Sequence, residues 1–600
     1  MMRIKMGRLG LFWAMGLLIL SALVLAPRAG AAETGQAHDG WAWTREHLKP
    51  TWMDWGKDYW PTQPVRGGYF RRAATMYIGL MNPNHWPVND WVSINYFYEG
   101  RTHYNGEYRQ RNPWLVESWK FVNPTTVLET YQRGVTFHDG APFNAQSVKY
   151  LFDWISDRKN GCWTRGMMRR FRSVEVVDEY TVKWTTKKPW GSYPAGFFGF
   201  LISQKALAGD VLIREAQEAE RQARKLTRTA EKSGKEEDRA AAKAAAEAAR
   251  KAKEAAKGKL NTDQHPVGTG PFMLEEAKPG NYLKVKRNPD WWFGKSVGKP
   301  DMPYFDGIIV TVIPDPSIQL ANLKAGKIDT MGVSKAQYDI VKKDPNLRVY
   351  TFLDNFTTML FFNQASGPLG DIRVRRAVAH AVDRKALIAG TQFGLAREAS
   401  CLFPADHWAH NPDLKPVSYD PALSRKLLAE AGYAQGLIIK GNAYSDTASG
   451  TVAQAVKHML ARVGIDWRVE SLDPVAVSDK MKNLDYEMSL FGMPYIQDPD
   501  GTAGRIYSPQ GGFHYGRFKN DKIFNLVQEG ADEIDEAKRQ KIYFDLEKAL
   551  CDDYTDVWLW YNVAVVAYRK NVEGWNNDMW IRDRVLYSSS HPLWFKDGKP

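Results

Sequence analysis

Cysteine is scarce in this chain. Cys162, Cys401 and Cys551 are the three cysteines in 600 residues. They lie too far apart for a zinc cluster, and an oxidising compartment would allow one disulfide with one thiol left over. All three pairings stay open. Catalytic signatures are missing too: there is no Gly-x-Ser-x-Gly, no His-Glu-x-x-His and no Cys-x-x-Cys. A carboxylate pair assembled only in space would leave no such trace, so a secreted hydrolase stays open as an alternative of a different class. Beyond the first residues, no apolar run is long enough to span a bilayer.

The start of the chain reads as an address. Arg3, Lys5 and Arg8 precede an apolar run over 9–25, and Ala29-Gly30-Ala31 supplies small residues at a cleavage site. The expectation is a signal peptide over 1–31 and export to the periplasm; the alternative is a membrane anchor. Net charge is +13. Part of it sits in the leader and part in a basic insertion, so the reading is a solvated basic surface and no nucleic acid.

Aromatics are plentiful, with 23 tryptophans. Five fall within 40–69 among Pro and Gly residues, which speaks against one long helix and suggests an extension packed on the body. "TTVLETYQRGVTF" (125–137) reads as a strand pair turning at Arg133-Gly134, and Asn144 caps a helix carrying Val148, Leu151, Phe152 and Ile155 on one stripe. Residues 211–259 are almost all Ala, Glu, Lys, Arg and Gln. Their helix propensity is high but they lack large apolar residues, so a solvated helical hairpin broken near Ser233-Gly234 is expected. A docking arm for an interaction protein is the alternative. "DIRVRRAVAHAVDRKALIAG" (371–390) reads as one amphipathic helix capped by Asp371 and stopped by Gly390, with Val374, Ala377, Val378 and Ala381 inward. Asp420 and Pro421 open another helix, which ends at Gly432. Helices then alternate with strands, an α/β pattern.

"GTGPFMLEEAKPGNYLKVKRNPDWW" (268–292) begins with a Gly-x-Gly that lacks the third glycine and the following helix of a phosphate loop. The reading is a tight turn, then a hairpin through Pro279-Gly280, with Trp291 and Trp292 packed on the sheet.

This stretch, together with "HDGAPFNAQSVKYLFDW", "LANLKAGKIDTM", "FFNQASGPLGDIRVRRAVAHAVDR" and "YDPALSRKLLAEAGY" in that order, resembles the family 5 extracellular solute-binding proteins. These are the peptide, dipeptide and nickel receptors of ABC importers. The resemblance runs from about Ala73 to the C-terminus, outside the insertion. It implies an α/β periplasmic-binding-protein clamp of the type II, cluster C kind: two lobes closing on a ligand, with a third domain. The division it implies is a leader over 1–31 and an aromatic extension over 32–72. Lobe I takes 73–97, 176–353 and 561–600 with the insertion 211–259, the extra domain 98–175, and the second lobe 354–560. It implies a monomer without cofactor, serving a permease in the inner membrane, with no bond made or broken.

In peptide-binding relatives an Asp in a "W-x-A-D-Y"-like segment pairs with the ligand's α-ammonium. Anchored on Asp498-Pro499, that position falls on Tyr495, so the pattern departs here; Asp498 is an off-register substitute or the start of a turn. The same stretch also resembles the "W-G-x-P-Y" of nickel-chelate receptors, through Phe491, Gly492, Pro494 and Tyr495. His514 is the matching downstream histidine by rough position, and His407 and His410 have one metal-compatible spacing without a third ligand. No metal site is expected. The candidate ligand-binding residues are Trp91, Asn355, Phe356, Phe491, Met493, Tyr495 and Asp498. They suit a peptide or peptide-like solute, with a metal chelate or oligosaccharide as the alternative.

Overall fold

The computed structural model describes residues 20–21, 63–85, 88–104, 111–193, 200–296, 298–494, 498–574 and 592–600. Most of the expected leader and aromatic extension, and Tyr495, lie outside these residues.

The main sheet is mixed and runs through the whole body. Its order is Ile465–Leu472, Leu437–Tyr444, Met488–Pro494, Leu347–Phe362, Asp556–Arg569, Thr330–Gly332, Tyr69–Ala74, Gly307–Val312, Tyr282–Arg287 and Phe272–Lys278. Two short strands are added at the middle: Leu20–Ser21 on Leu347–Phe362, and Ala396–Glu398 on Asp556–Arg569. A separate antiparallel sheet orders Val116–Asn123, Thr126–Tyr131, Thr181–Thr186 and Phe171–Val176.

Two strands pass from one half of the molecule to the other. Leu347–Leu353 pairs with Val563–Arg569, and Thr357–Phe361 pairs with Asp556–Tyr561. Between them the register shifts, leaving Asp354, Asn355 and Phe356 unmatched. A bulge of this kind bends and twists a strand pair locally. On the far side of the bulge, residue parity separates two cores. Met359, Phe361, Phe491 and Met493 pack on one face with Phe403 and Tyr507; Leu360, Phe362 and Leu490 pack on the other with Val374 and Val378. On the near side, the largest core gathers Phe70, Phe97, Trp114, Trp184, Trp291 and Trp594.

Local expectations mostly hold. Asn144 caps Ala145–Ser156 in a reciprocal box with Ser147, and Phe272–Lys278 pairs with Tyr282–Arg287 as the hairpin. Gly268 and Gly270 are needed for close approach, because a Cβ on either would fall 2.1–2.6 Å from a carbonyl oxygen of Phe97 or Tyr96. The hairpin insertion forms as Gln204–Ser233 and Glu236–Ala255 around Gly234 at φ +68, starting earlier than residue 211. Its two helices bury Ala216, Ala223, Ala230 and Ala249, small residues that let two backbones approach without a large apolar stripe.

Two expectations need correction, the 125–137 strand pair and the 371–390 helix. Thr126–Tyr131 is a single strand whose partners are Val116–Asn123 and Thr181–Thr186, not the residues after Arg133-Gly134. The 371–390 helix is two helices, Ile372–Ala381 and Arg384–Gln392. Val382 is extended and Asp383 accepts the Ala386 N–H, which restarts the helix, so Gly390 lies inside it. Tyr69–Ala74 straddles the boundary set at 72/73, and the small sheet continues past 175 through Thr181–Thr186. Trp291 and Trp292 do more than pack. Together with Trp114 they donate their indole N–H groups, at 3.1, 2.9 and 2.9 Å, to the buried Glu99 carboxylate. Burial pushes the Glu99 pKa up to about 7, with the three indoles opposing it.

Candidate functional site

The site is built where the two halves meet. From the first half comes the segment after the small sheet, with Trp190, Gly191, Ser192 and Tyr193. Phe171, Trp184, Trp190 and Tyr193 pack with ring centroids 5.0–6.4 Å apart. Arg101 lies over Trp184 and Tyr193 and pairs with the buried Glu129, so the segment rests on a rigid aromatic base.

The second half presents helix Pro499–Ile506 and the turn after Asp521–Asp532. Asp498 caps the first of these, accepting the Asp500 N–H at 3.0 Å. The Asp498 carboxylate also takes both Arg539 terminal nitrogens at 2.7 Å, a buried bidentate pair. Burial works against the Arg539 charge, and Asp498 more than offsets it, so the guanidinium pKa stands above its ordinary value.

Contacts among the described residues cross the junction. The Gly191 N–H donates to the Ala531 carbonyl at 2.8 Å, and the Ser192 hydroxyl donates to Asp500 at 3.0 Å. Arg170, stacked over Trp190, approaches the same Asp500 carboxylate at 3.3 Å. A Cβ on residue 191 would fall 1.6 Å from the Glu533 carbonyl oxygen, so only glycine lets the two surfaces touch this way. Nearer the bulge, Lys335 donates to Gln392 at 2.5 Å. Burial lowers its pKa to about 8, with Asp354 opposing.

The sequence-derived residues divide into groups. Phe356 lies in the bulge with its N–H donated to Asp354 at 2.9 Å, and its ring covers Gly492, where a Cβ would fall 2.0 Å from the ring. Asn355 adjoins it in the same strand. Phe491 and Met493 have the opposite parity to Gly492 and are 3% and 6% exposed, in the core with Phe361 and Met359. Trp91 opens helix Trp91–Phe97 and packs on Phe200 and Trp163; Asp90 caps that helix and is paired with the buried Arg72. Asp498 is held by Arg539 and the helix it caps. Gly191, Ser192, Arg170 and Asp500 were not among the candidates; Asp500, directly after Asp498-Pro499, was the one with a local signal.

The histidines are engaged locally. His514 Nδ1 lies 3.1 Å from the Ile506 carbonyl, and its ring packs on Phe518 and Phe524, with burial lowering its pKa. His407 stacks on Phe403 and accepts the Ala409 N–H, while His410 lies 3.1 Å from Glu547. Among the described residues, no cluster of three or more ligating side chains suits a metal ion.

Comparison with known proteins agrees with this architecture. The family described as bacterial extracellular solute-binding proteins, family 5 Middle, matches residues 110–514. Di/tripeptide-binding protein 1 of Pseudomonas aeruginosa is 24% identical over 489 residues, covering 77% of this chain and 82% of that protein. The periplasmic binding protein DppA of Helicobacter pylori, solved with the peptide STSA, superposes with TM-score 0.69 at 20% identity, covering 89% of this chain and 99% of that one. NikZ of Campylobacter jejuni, solved with Ni(L-His), gives 0.66 at 22% identity, covering 84% and 95%. The fold is the α/β cluster C clamp of these binding proteins. The chain belongs to the bacterial extracellular solute-binding proteins, family 5: it is a substrate-binding protein of the ABC-transporter kind, not an enzyme.

Proposed function

We propose that this protein holds a peptide or peptide-like solute between its two lobes in the periplasm, as a monomer, and delivers it to an ABC permease in the inner membrane. In this reading the bulge at 354–356 and Asn562 is the hinge, close to the lobe boundaries expected from the sequence. Trp91 and Phe356 front the cleft, and Asn355 and Tyr495 stay ligand candidates on the sequence pattern alone. Phe491 and Met493 back it from the core, and Asp498 fixes the lobe II edge through Arg539. The observation that carries the reading is the Phe356 ring lying over Gly492 where both crossing strands change register. This puts a flat apolar ring at the bulge, which suits a ligand with apolar side chains. Relatives named for di/tripeptides, oligopeptides and glutathione favour the same ligand class.

Closure follows from contacts a ligand makes with both lobes at once. Native mass spectrometry of protein purified from its own periplasm, before and after mild denaturation, tests the ligand class. Release of peptide masses is expected. Release of a metal-bearing or oligosaccharide mass would overturn the peptide reading in favour of the chelate or sugar alternative.

A further inference from the structure

We propose that Cys401 and Cys551 form an intrachain disulfide in the exported protein, leaving Cys162 as the free thiol. The proposal rests on the family's extracellular setting and not on the identity of the ligand.

The two sulfurs lie 2.6 Å apart, although the residues are 150 positions apart in sequence. Other groups hold both partners in place. Cys401 follows strand Ala396–Glu398 in a loop whose Phe403 and Asn411 N–H groups donate to the buried Glu547 carboxylate at 2.8 and 2.7 Å. The Tyr561 hydroxyl caps the Cys401 and Phe403 carbonyls at 2.9 and 2.6 Å. Glu547 and Cys551 share helix Glu536–Asp553, and the Cys401 thiol donates to the Glu547 carbonyl at 3.3 Å. These bonds juxtapose the sulfurs before any covalent link exists. Closing to a bond of roughly 2.05 Å then needs only a small side-chain adjustment. Cys162 belongs to a different core, with its sulfur beside the Asn160 carbonyl.

The route of oxidation is also visible. Cys401 is fully buried, whereas Cys551 lines a cavity of about 570 Å³ with Arg376, His380, Lys415 and Asp552. A disulfide oxidant R–S–S–R therefore meets Cys551 first. The Cys551 sulfur displaces one R–SH and forms a mixed disulfide. The Cys401 sulfur then attacks the Cys551 sulfur, and its proton leaves with the second R–SH. Two protein thiols lose two electrons and two protons, and the oxidant gains both. Arg376 and Lys415 suit an oxidant carrying carboxylates, such as oxidised glutathione.

The test uses the full chain exported through its own leader, denatured without reductant and alkylated. One labelled thiol per chain is expected, on Cys162, rising to three after reduction. Non-reducing proteolysis should yield one linked pair of peptides containing Cys401 and Cys551. Cys162→Ser should show no labelled thiol before reduction, and Cys551→Ser should show two. Reduction should lower the Tm by on the order of 5 °C. Three labelled thiols in the unreduced exported chain, or a linked peptide containing Cys162, would overturn the proposal. Because Cys162→Ser leaves the pair untouched, its result stands even if Cys551→Ser fails to fold.

Discussion

Gly191→Ala is the sharpest probe of the clamp. The new methyl would sit 1.6 Å from the Glu533 carbonyl oxygen and 2.7 Å from its carbon, both backbone atoms with no rotamer to yield. Gly191 is not in the left-handed region, so alanine adds no local strain and the fold should survive. The lobes would have to separate by roughly 1.5 Å to restore ordinary contact. Separation breaks the Gly191–Ala531 hydrogen bond, worth about 1 kcal/mol net. It also breaks the Ser192–Asp500 bond to a charged acceptor, worth about 2 kcal/mol. The Arg170–Asp500 pair adds little, since Arg170 is about half exposed. Loss of roughly 3 kcal/mol from the closed state shifts the equilibrium toward open by about a hundredfold. Small-angle scattering of wild type and variant, each with the solute released from the native protein, reads closure directly, and calorimetry reads affinity. The expected result is a larger radius of gyration and about a hundredfold weaker binding, with an unchanged Tm for the empty protein. A variant that closes to the same radius and binds equally well would refute the reasoning.

Other consequences can be measured independently. The Glu99 pKa is raised to about 7, so between its ordinary value and 7 the folded state holds more protons than the unfolded one. Stability from this group is therefore highest in mild acid and falls as pH rises toward 7, by roughly 3 kcal/mol. Glu99→Gln should flatten that loss in urea melts at pH 5 and pH 8, and an unchanged pH difference would rule the group out. Arg539→Ala leaves the Asp498 carboxylate buried without its cation, and should cost about 3–5 kcal/mol in the same melts. A loss under 1 kcal/mol would mean that water replaces the guanidinium. Replacing 214–256 with a short Gly/Ser linker removes a hairpin that buries mainly its own alanines, and should leave solute affinity within about twofold because the flanking Gly209 and Asp210 already meet Lys259 and Thr262. A tenfold loss would bring the arm into function.

Much of the fold was legible because it is local. Asn144, Asp371, Asp420 and the Pro279-Gly280 turn act within a few residues, and side-chain chemistry there decides the backbone. The split at Val382 was missed because apolar spacing continues through it, and a second cap was needed to show the restart. Phe491 and Met493 were read as cleft residues from their neighbourhood. Their burial depends on strand parity against Leu347–Phe362, a register that the segment itself does not encode. Glu99 and two of its three tryptophans, Trp291 and Trp292, lie nearly two hundred positions apart, so one acidic residue in an aromatic stretch gave no hint of them. The same applies to Gly191, whose importance appears only once Glu533 is placed against it.

The junction contacts also bear on how the receptor signals occupancy. A clamp reports its ligand only if the empty protein is largely open, since ligand-free closure would present the permease with an unloaded receptor. The Gly191, Ser192 and Asp500 contacts stabilise closure without any ligand, by about 3 kcal/mol in the terms above. Ordering the joined segments and stripping water from polar surface oppose it by a similar amount. With these contacts offset in the empty protein, a solute touching both lobes supplies the few kcal/mol that complete closure. Strengthening the junction, for example by an added cross-lobe ion pair, should raise apparent affinity while weakening discrimination between loaded and empty forms. For a transporter's receptor that is a loss of function achieved through tighter binding.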